Sequence, residues 1–325
     1  MRKKTRFSLL SALVPFLCSC ASGASPLSES KVLFDTLVTG YSNSGDSSCL
    51  DEVFAELTEW DQWLDAFHVP PAGVTSIYTI NHTNEPVTVS APLAELLFFM
   101  NYLLSQTEGL FNPLIGNLTA LWKEGLAAAT PFVPEQTAID NAIAEIADTE
   151  HNFLEISGTT VTRHGSATLD VGAVGKGWAL REVQHVFDDH GEADYLLDGG
   201  SSSFLFGQYG KGDGTFTVTF SDITTKGLKL QKTALGVSSI REQNAVIGGV
   251  TYSHLVNPLT GSAAAPAVMA GAIGIDAGLC DAMSTVFFLA GAEKTKALAT
   301  QMGLGYVYYD GTNFVSGNGA PIYDR

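Results

Sequence analysis

Apolar and polar side chains alternate from residue 32 to residue 41 (Val-Leu-Phe-Asp-Thr-Leu-Val-Thr-Gly-Tyr), a period of two that predicts a first strand. The period then changes. Leu50, Val53, Phe54, Leu57, Trp60 and Leu64 recur at three and four, which predicts a helix over 49–66 with Ser47 or Ser48 as its cap. Pro70, Pro71 and Gly73 break the chain, and a second helix is expected over 91–107, stopped by Gly109. Its run Leu96-Leu97-Phe98-Phe99 implies burial on more than one side. Phe111 to Trp122 opens a third helical stretch, and Pro134 begins a fourth near 135–147. Residues 153–156 and 159–162 flank Gly158 as a hairpin, followed by a strand over 168–171, a glycine turn and a helix to about residue 190. Strands are predicted over 193–197, 203–206, 215–220, 228–232, 233–237, 245–247 and 250–253, with Gly248-Gly249 as a two-residue turn. An apolar strand over 266–275, helices over 277–290 and 292–302, and a hairpin over 306–315 complete the chain. Helices lead and strands dominate the middle, so the fold class is α+β.

Composition narrows the function classes. The chain has 325 residues, 45% hydrophobic and 16% charged, enough to bury a large core. Its formal net charge of −17 argues against a nucleic-acid partner, because nothing basic enough to neutralise a phosphate backbone is present. Arg2, Lys3, Lys4 and Arg6 precede an apolar run from Phe7 to Phe16, the arrangement of an export signal too short for a comfortable transmembrane helix. Leu17-Cys18-Ser19-Cys20 resembles a bacterial lipoprotein signal with Cys20 as the lipidated residue, beside the alternative of an ordinary secretory signal. Three segments are therefore expected: a signal over 1–20, a polar tether over 21–30 and one domain over 31–325. The mature chain, losing four positive charges, moves from −17 to −21. It would be lipid-anchored to the cell membrane on its extracytoplasmic face. Cys49 and Cys280 are the cysteines left, too few for a disulfide framework, and the seven histidines show no zinc spacing.

Five stretches bear chemistry. Leu169-Asp170-Val171-Gly172-Ala173-Val174-Gly175-Lys176-Gly177-Trp178 puts three glycines and a lysine between a predicted strand and a predicted helix. Backbone N–H groups there can meet an anion at a helix N-terminus, and Lys176 adds a mobile charge. The same residues also suit a plain turn with a surface lysine. Leu197-Asp198-Gly199-Gly200-Ser201 is either a second anion loop or a Ser/Gly turn. His254 precedes the turn Asn257-Pro258-Leu259-Thr260-Gly261 and can take a proton near neutral pH, or can be a strand-end histidine satisfied by backbone. Asp281 and Thr285 are four apart on a predicted helix, hence on one face, offering hard oxygen ligands suited to Mg²⁺; Asp281 can equally face the helix dipole. Phe111-Asn112-Pro113 breaks a helix and either lines a pocket or merely turns.

Taken together these blocks resemble the ApbE family, the FAD:protein FMN transferases. Asp170-Val-Gly-Ala-Val-Gly-Lys-Gly177 is similar to the family's D-L-G-G-I-A-K-G, and Leu197-Asp198-Gly199-Gly200 to its N-L-G-G. His254-Leu-Val-Asn-Pro-Leu-Thr-Gly261 resembles H-I-I-D-P-x-T-G, and Asp281-Ala-Met-Ser-Thr285 resembles D-A-L-A-T. Phe111-Asn112-Pro113-Leu-Ile-Gly116 with Leu121-Trp122, Phe34-Asp35-Thr36 and Ile80-Asn81 follow the family order. The resemblance implies an α+β fold with antiparallel sheets flanked by helices, paired βαβ-type layers and a flavin site between lobes. It implies Mg²⁺-dependent transfer of FMN from FAD to a Ser or Thr of an acceptor protein, releasing AMP. Mg²⁺ would be held by Asp281, Thr285 and the carbonyl of Gly175, with His254 as base or proton shuttle. Gly172, Lys176, Gly199 and Gly200 would meet phosphate, and Tyr78 the flavin ring. Asn112 and Asn257 stand where the family has Asp, so acidic help is missing there. An FAD pyrophosphatase giving FMN and AMP and a flavin-binding lipoprotein without turnover are the competing functions.

Overall fold

The computed structural model describes residues 26–45, 47–220, 223–241 and 243–324. The signal and the lipidation of Cys20 fall outside the described residues. The alternating stretch at 32–41 proves to be the arms of a hairpin rather than one strand. Strand β1 (Leu27–Leu33) pairs antiparallel with β2 (Thr36–Ser42), Leu33 opposite Thr36. Phe34 and Asp35 form the two-residue turn with φ of 54° and 58°, the geometry of a type I′ turn that Asn and Gly more often supply. Residues 27–30, expected as tether, are thus sheet, and their polar side chains suit the edge position β1 holds.

Helix α1 (Ser47–Leu64) buries the predicted stripe from Leu50 to Leu64. A single turn that the hydrophobic pattern does not reveal, α2 (Ile77–Asn81), and a short strand β3 (Val87–Thr88) follow. Helix α3 (Ala91–Gln106) is capped by Ser90, whose Oγ accepts from Leu93 N at 3.4 Å. Helix α4 (Gly116–Ala127) starts later than the apolar run suggests, because Asn112 Oδ1 accepts from Leu114 N at 2.9 Å and turns the chain first. Then come α5 (Gln136–Ala147) and the hairpin β4 (Phe153–Ser157) and β5 (Thr160–His164). The helix expected to run to residue 190 is two, α6 (Gly175–Glu182) and α7 (Gln184–Asp189), separated at Val183.

The strand-rich middle contains β6 (Tyr195–Gly199), β7 (Ser203–Phe206), β8 (Phe216–Thr219), β9 (Lys226–Leu230) and β10 (Thr233–Ser239). The hairpin β11 (Asn244–Ile247) and β12 (Val250–Ser253) precedes β13 (Met269–Gly274). Helices α8 (Ala277–Ala290) and α9 (Ala292–Met302) follow, and β14 (Gly305–Tyr309), β15 (Phe314–Gly317) and β16 (Ile322–Asp324) end the chain.

The main sheet has eight strands in the order β1-β2-β6-β7-β10-β13-β14-β15. Each pairing in it is antiparallel, as are those of the small sheets β16-β9-β8, β3-β5-β4 and β11-β12. The βαβ-type layers implied by the resemblance are therefore absent among the described residues. Hairpins and loops join some neighbouring strands, while β2–β6 and β13–β14 are joined through helices that return the chain antiparallel. Helices α1, α6, α8 and α9 pack on one sheet face, and α3 adds its buried face to the same main core. Phe287 and Phe288 of α8 are fully buried there, each contributing about 1.5–3 kcal/mol by removal from water. The other face packs on β8 and β9. A third, separate core joins Leu118 and Trp122 of α4 with Ile139, Ala142 and Ile146 of α5 and with Val256 and Ala263. No helix of the described residues is long and apolar enough to cross a membrane.

Candidate functional site

The glycine turn is held by side chains rather than by a ladder. Asn81 Oδ1 accepts from Leu169 N at 2.7 Å, and Asn81 Nδ2 donates to Leu169 O at 3.0 Å. Gly116 N donates to Thr168 O and Asp170 N to Pro113 O, both at 2.9 Å. Residues 168–171, expected as a strand, are extended but claimed by these partners and form none. Val174 N and Gly175 N return to Val171 O at 3.1 and 2.8 Å, and α6 begins at Gly175.

Gly177 is where α6 meets α8. A Cβ there would lie 2.3 Å from Ala277 O and 2.4 Å from Asp281 Cβ, so no other residue permits this approach. The contact lets Gly177 N donate to Asp281 Oδ2 at 2.8 Å. Ser203, at the start of β7, donates through Oγ to Asp281 Oδ1 at 2.8 Å. Asp281 is only 5% exposed, its carboxylate oriented by a backbone N–H and a hydroxyl. One turn on, Thr285 Oγ1 lies 3.0 Å from Ser238 Oγ, itself 2.9 Å from Ser284 Oγ. Asp276 caps this helix, accepting from Leu279 N at 2.8 Å.

His254 follows β12. Its N–H donates to Gln243 O at 3.1 Å, and Nδ1 lies 3.4 Å from the same oxygen. The predicted turn behind it is present: Asn257 Oδ1 accepts from Leu259 N at 2.9 Å and Asn257 O from Gly261 N at 2.8 Å. Trp122 Nε1 donates to Gly261 O at 2.8 Å, and its ring stacks on Tyr252, tying this loop to α4.

Two cavities meet at these elements. The smaller, about 120 Å³, is lined by His254 and Thr285 together with Asn112, Thr119 and Ala173. The larger, about 620 Å³, lies between the β1–β2 turn, the end of α1, α4 and the glycine turn, and its wall includes Phe34, Phe67, His82, Gly175 and Lys176. Lys123, Asp170 and Gly172 line both. Asp170 is fixed there: Oδ2 accepts from Thr119 Oγ1 at 2.6 Å and Oδ1 from Gly172 N at 2.7 Å. Asp61, also in the larger wall, has its carboxyl raised by burial, against a hydrogen bond from Phe34 N at 2.6 Å.

The structure thus brings His254, Thr285 and Gly172 into one small cavity, and Gly172, Gly175 and Lys176 into the larger one beside it. Asp281 sits behind them, under Gly177. Gly199 and Gly200 line neither cavity; Gly200, at φ 77°, packs against Thr36 beneath the first hairpin turn. Burial of Asp198 next to them pushes its carboxyl up to about 6, despite a bond from Ser201 N at 2.6 Å. Tyr78 stacks on His82 at 3.8 Å, and it is His82 that faces the larger cavity. Sequence reasoning did not select Lys123, Asp170 as a site residue, Phe67 or Ser203. For Asp170 a signal existed, its place at the head of the glycine turn; Lys123 and Phe67 carry none.

The donor set at Asp281 fits a hard cation: one oriented carboxylate, one hydroxyl a helical turn away and a carbonyl at the head of α6. No group of three His, Cys, Asp or Glu side chains that could hold a metal occurs among the described residues.

A family model described as the ApbE family matches residues 32–308. A FAD:protein FMN transferase of Rhodobacter capsulatus is 28% identical over 252 residues, covering 76% of this chain and 46% of the relative, so the chain spans about half that protein's length. One from Treponema pallidum is 27% identical over 278 residues, covering 77% of this chain and 74% of its own. Among solved structures, the apo form of the Pseudomonas stutzeri flavinyl transferase ApbE aligns with a TM-score of 0.75 at 21% identity over 90% of this chain and 94% of its own. The Thermotoga maritima apbe protein gives 0.76 at 19% identity over 90% and 97%. At these identities the structural matches establish a common fold.

Proposed function

The chain belongs to the ApbE family, and from that premise we propose that it is an FAD:protein FMN transferase, moving FMN from FAD to a Ser or Thr hydroxyl of an acceptor protein and releasing AMP. The observation that carries this reading is the shared wall of the two cavities: a space of the size small-molecule sites have shares Lys123, Asp170 and Gly172 with a small one holding His254 and Thr285. The rings of FAD occupy the larger space, against Phe34, Phe67 and His82. The phosphates lie toward the glycine turn, where Lys176 meets them, the Gly172 N–H expected to help being engaged by Asp170 Oδ1. His254 takes the proton of the acceptor hydroxyl as its oxygen attacks the flavin-side phosphorus. The bond from that phosphorus to the bridging oxygen breaks, and AMP leaves with the electron pair. Mg²⁺ held by Asp281, Thr285 and the Gly175 carbonyl would neutralise charge on the pyrophosphate. Gly177 and Ser203 keep the Asp281 carboxylate turned for that task. Export and anchoring through Cys20 would set this chemistry on the outer face of the membrane.

The test is incubation with FAD and Mg²⁺, with and without a protein carrying an accessible acceptor Thr, followed by mass spectrometry. AMP together with an acceptor heavier by one FMN unit, lost on chelation, is the expected result. AMP and free FMN in the absence of any acceptor would replace the transferase by a pyrophosphatase. Intact FAD in every tube would overturn both.

A further inference from the structure

Lys123 is absent from the chemistry-bearing stretches of the sequence, yet it stands on the wall common to the two cavities. We propose that Lys123 is the residue that recognises the pyrophosphate of the dinucleotide, so that it selects FAD over flavins lacking that group. The proposal rests on the transferase reading. The smaller cavity, about 120 Å³, is well under the roughly 300 Å³ at which small-molecule pockets begin, so the three-ring flavin system stays in the larger space. The reacting phosphorus must nevertheless come within reach of His254. The pyrophosphate therefore lies at the shared wall, with the flavin rings behind it in the larger space.

Two lysines border this path. Lys176 lines the larger cavity alone, whereas Lys123 lines both. The ammonium of Lys123 lies 4.0 Å from Asp170 Oδ2 and 5.0 Å from the centre of the Phe67 ring, and the side chain is about half exposed. Asp170 accepts short bonds from Thr119 and Gly172 that fix its carboxylate, and Lys123 stands at the outer limit of an ion pair with Oδ2. The ammonium is thus restrained near the shared wall but retains donors for an anion. A phosphate there gains a charge-assisted partner without breaking the bonds that fix Asp170. Asp170 acts as a positioning residue for the ammonium.

The experiment compares binding of FAD and of riboflavin to the purified protein and to Lys123→Gln and Lys123→Arg, with chelator present, by quenching of flavin fluorescence. Lys123→Gln is expected to weaken FAD about tenfold or more and to leave riboflavin unchanged. Lys123→Arg is expected to recover most of the loss. The FAD affinity of the unaltered protein should also fall more steeply with salt than that of Lys123→Gln. Equal FAD affinity in Lys123→Gln, or equal weakening of FAD and riboflavin, overturns the assignment while leaving the transferase reading in place. Failure of the unaltered protein to bind FAD overturns both, and is told apart because it shows before any substitution is made.

Discussion

Replacing Gly177 by alanine tests the seating of the candidate metal ligand. In an ordinary helix the change stabilises, by roughly 0.5–1 kcal/mol, because glycine loses more backbone freedom on folding. Here the added methyl would sit 2.3 Å from Ala277 O and 2.4 Å from Asp281 Cβ, both parts of α8 that cannot swing aside. Ordinary contact requires about 1 Å more, so α6 and α8 must separate by something of that order. Overpacking of this kind costs about 1–3 kcal/mol. The same separation takes the 2.8 Å bond from Gly177 N to Asp281 Oδ2 out of range, removing about 1.5–3 kcal/mol for a bond to a carboxylate. After the gain in helix propensity is set against these, the variant should be destabilised by about 2–5 kcal/mol. Urea unfolding followed by circular dichroism measures it as a lower midpoint at unchanged slope. A midpoint equal to or above that of the unaltered protein would refute the close approach of α6 to α8, and with it the account of how Asp281 is oriented.

Further expectations follow from the same geometry. Asp281→Asn retains an acceptor for Gly177 N and a donor toward Ser203 Oγ, so the fold should persist in thermal melts while Mg²⁺-dependent release of AMP from FAD falls at least about a hundredfold; full activity would remove Asp281 from the metal set. His254→Ala should leave FAD affinity unchanged and slow FMN transfer roughly 10²–10⁴-fold, and an unaltered single-turnover rate would exclude it as the base. Asp198 holds its proton more tightly in the folded state, at about 6, than its ordinary value of 3.8. Its contribution is therefore fully present below about pH 4 and lost as pH rises through 6. Asp198→Asn should accordingly exceed the unaltered protein in stability by about 2–3 kcal/mol at pH 7–8 and match it near pH 4; the opposite trend in urea midpoints would contradict burial as the cause. Asp35→Gly relieves a left-handed φ of 58° in the first hairpin turn and should raise stability by up to about 1 kcal/mol, measured as a higher melting midpoint.

Periodicity located most helices and strands because those segments bury one face, and burial is what writes a period into a sequence. Helices α1, α3, α5, α8 and α9 follow their apolar stripes to within a few residues. What escaped was decided by contacts distant in sequence. Asn81 binds Leu169 across 88 residues and converts an apparent strand into a braced loop. The first hairpin is concealed because its turn is Phe-Asp rather than Asn-Gly, so local chemistry gives no sign of a reversal. Among site residues, His254, Thr285, Gly172, Gly175 and Lys176 stood out by their motifs and do line the cavities. Ser203 and Lys123 did not: a serine in a Ser-rich loop and a lysine on a helix surface acquire meaning through what the fold sets opposite them.

The small core of α4 and α5 carries a consequence of its own. Trp122, stacked on Tyr252 and bonded to Gly261 O, welds α4 to the loop that bears His254. Lys123 and His254 accordingly ride on one mechanical body, while Asp170, Lys176, Asp281 and Thr285 belong to the other, built on the main sheet. The candidate site thus lies on a seam. Thr119 and Lys123 reach across it to a single carboxylate, Asp170. Such a joint can breathe without either body unfolding. On the proposed mechanism, a ligand whose phosphates straddle the joint would bring His254 and the reacting phosphorus into register. Amide hydrogen exchange should accordingly protect 116–147 and 252–263 as one block, distinct from the sheet, with slower exchange in both when FAD is bound.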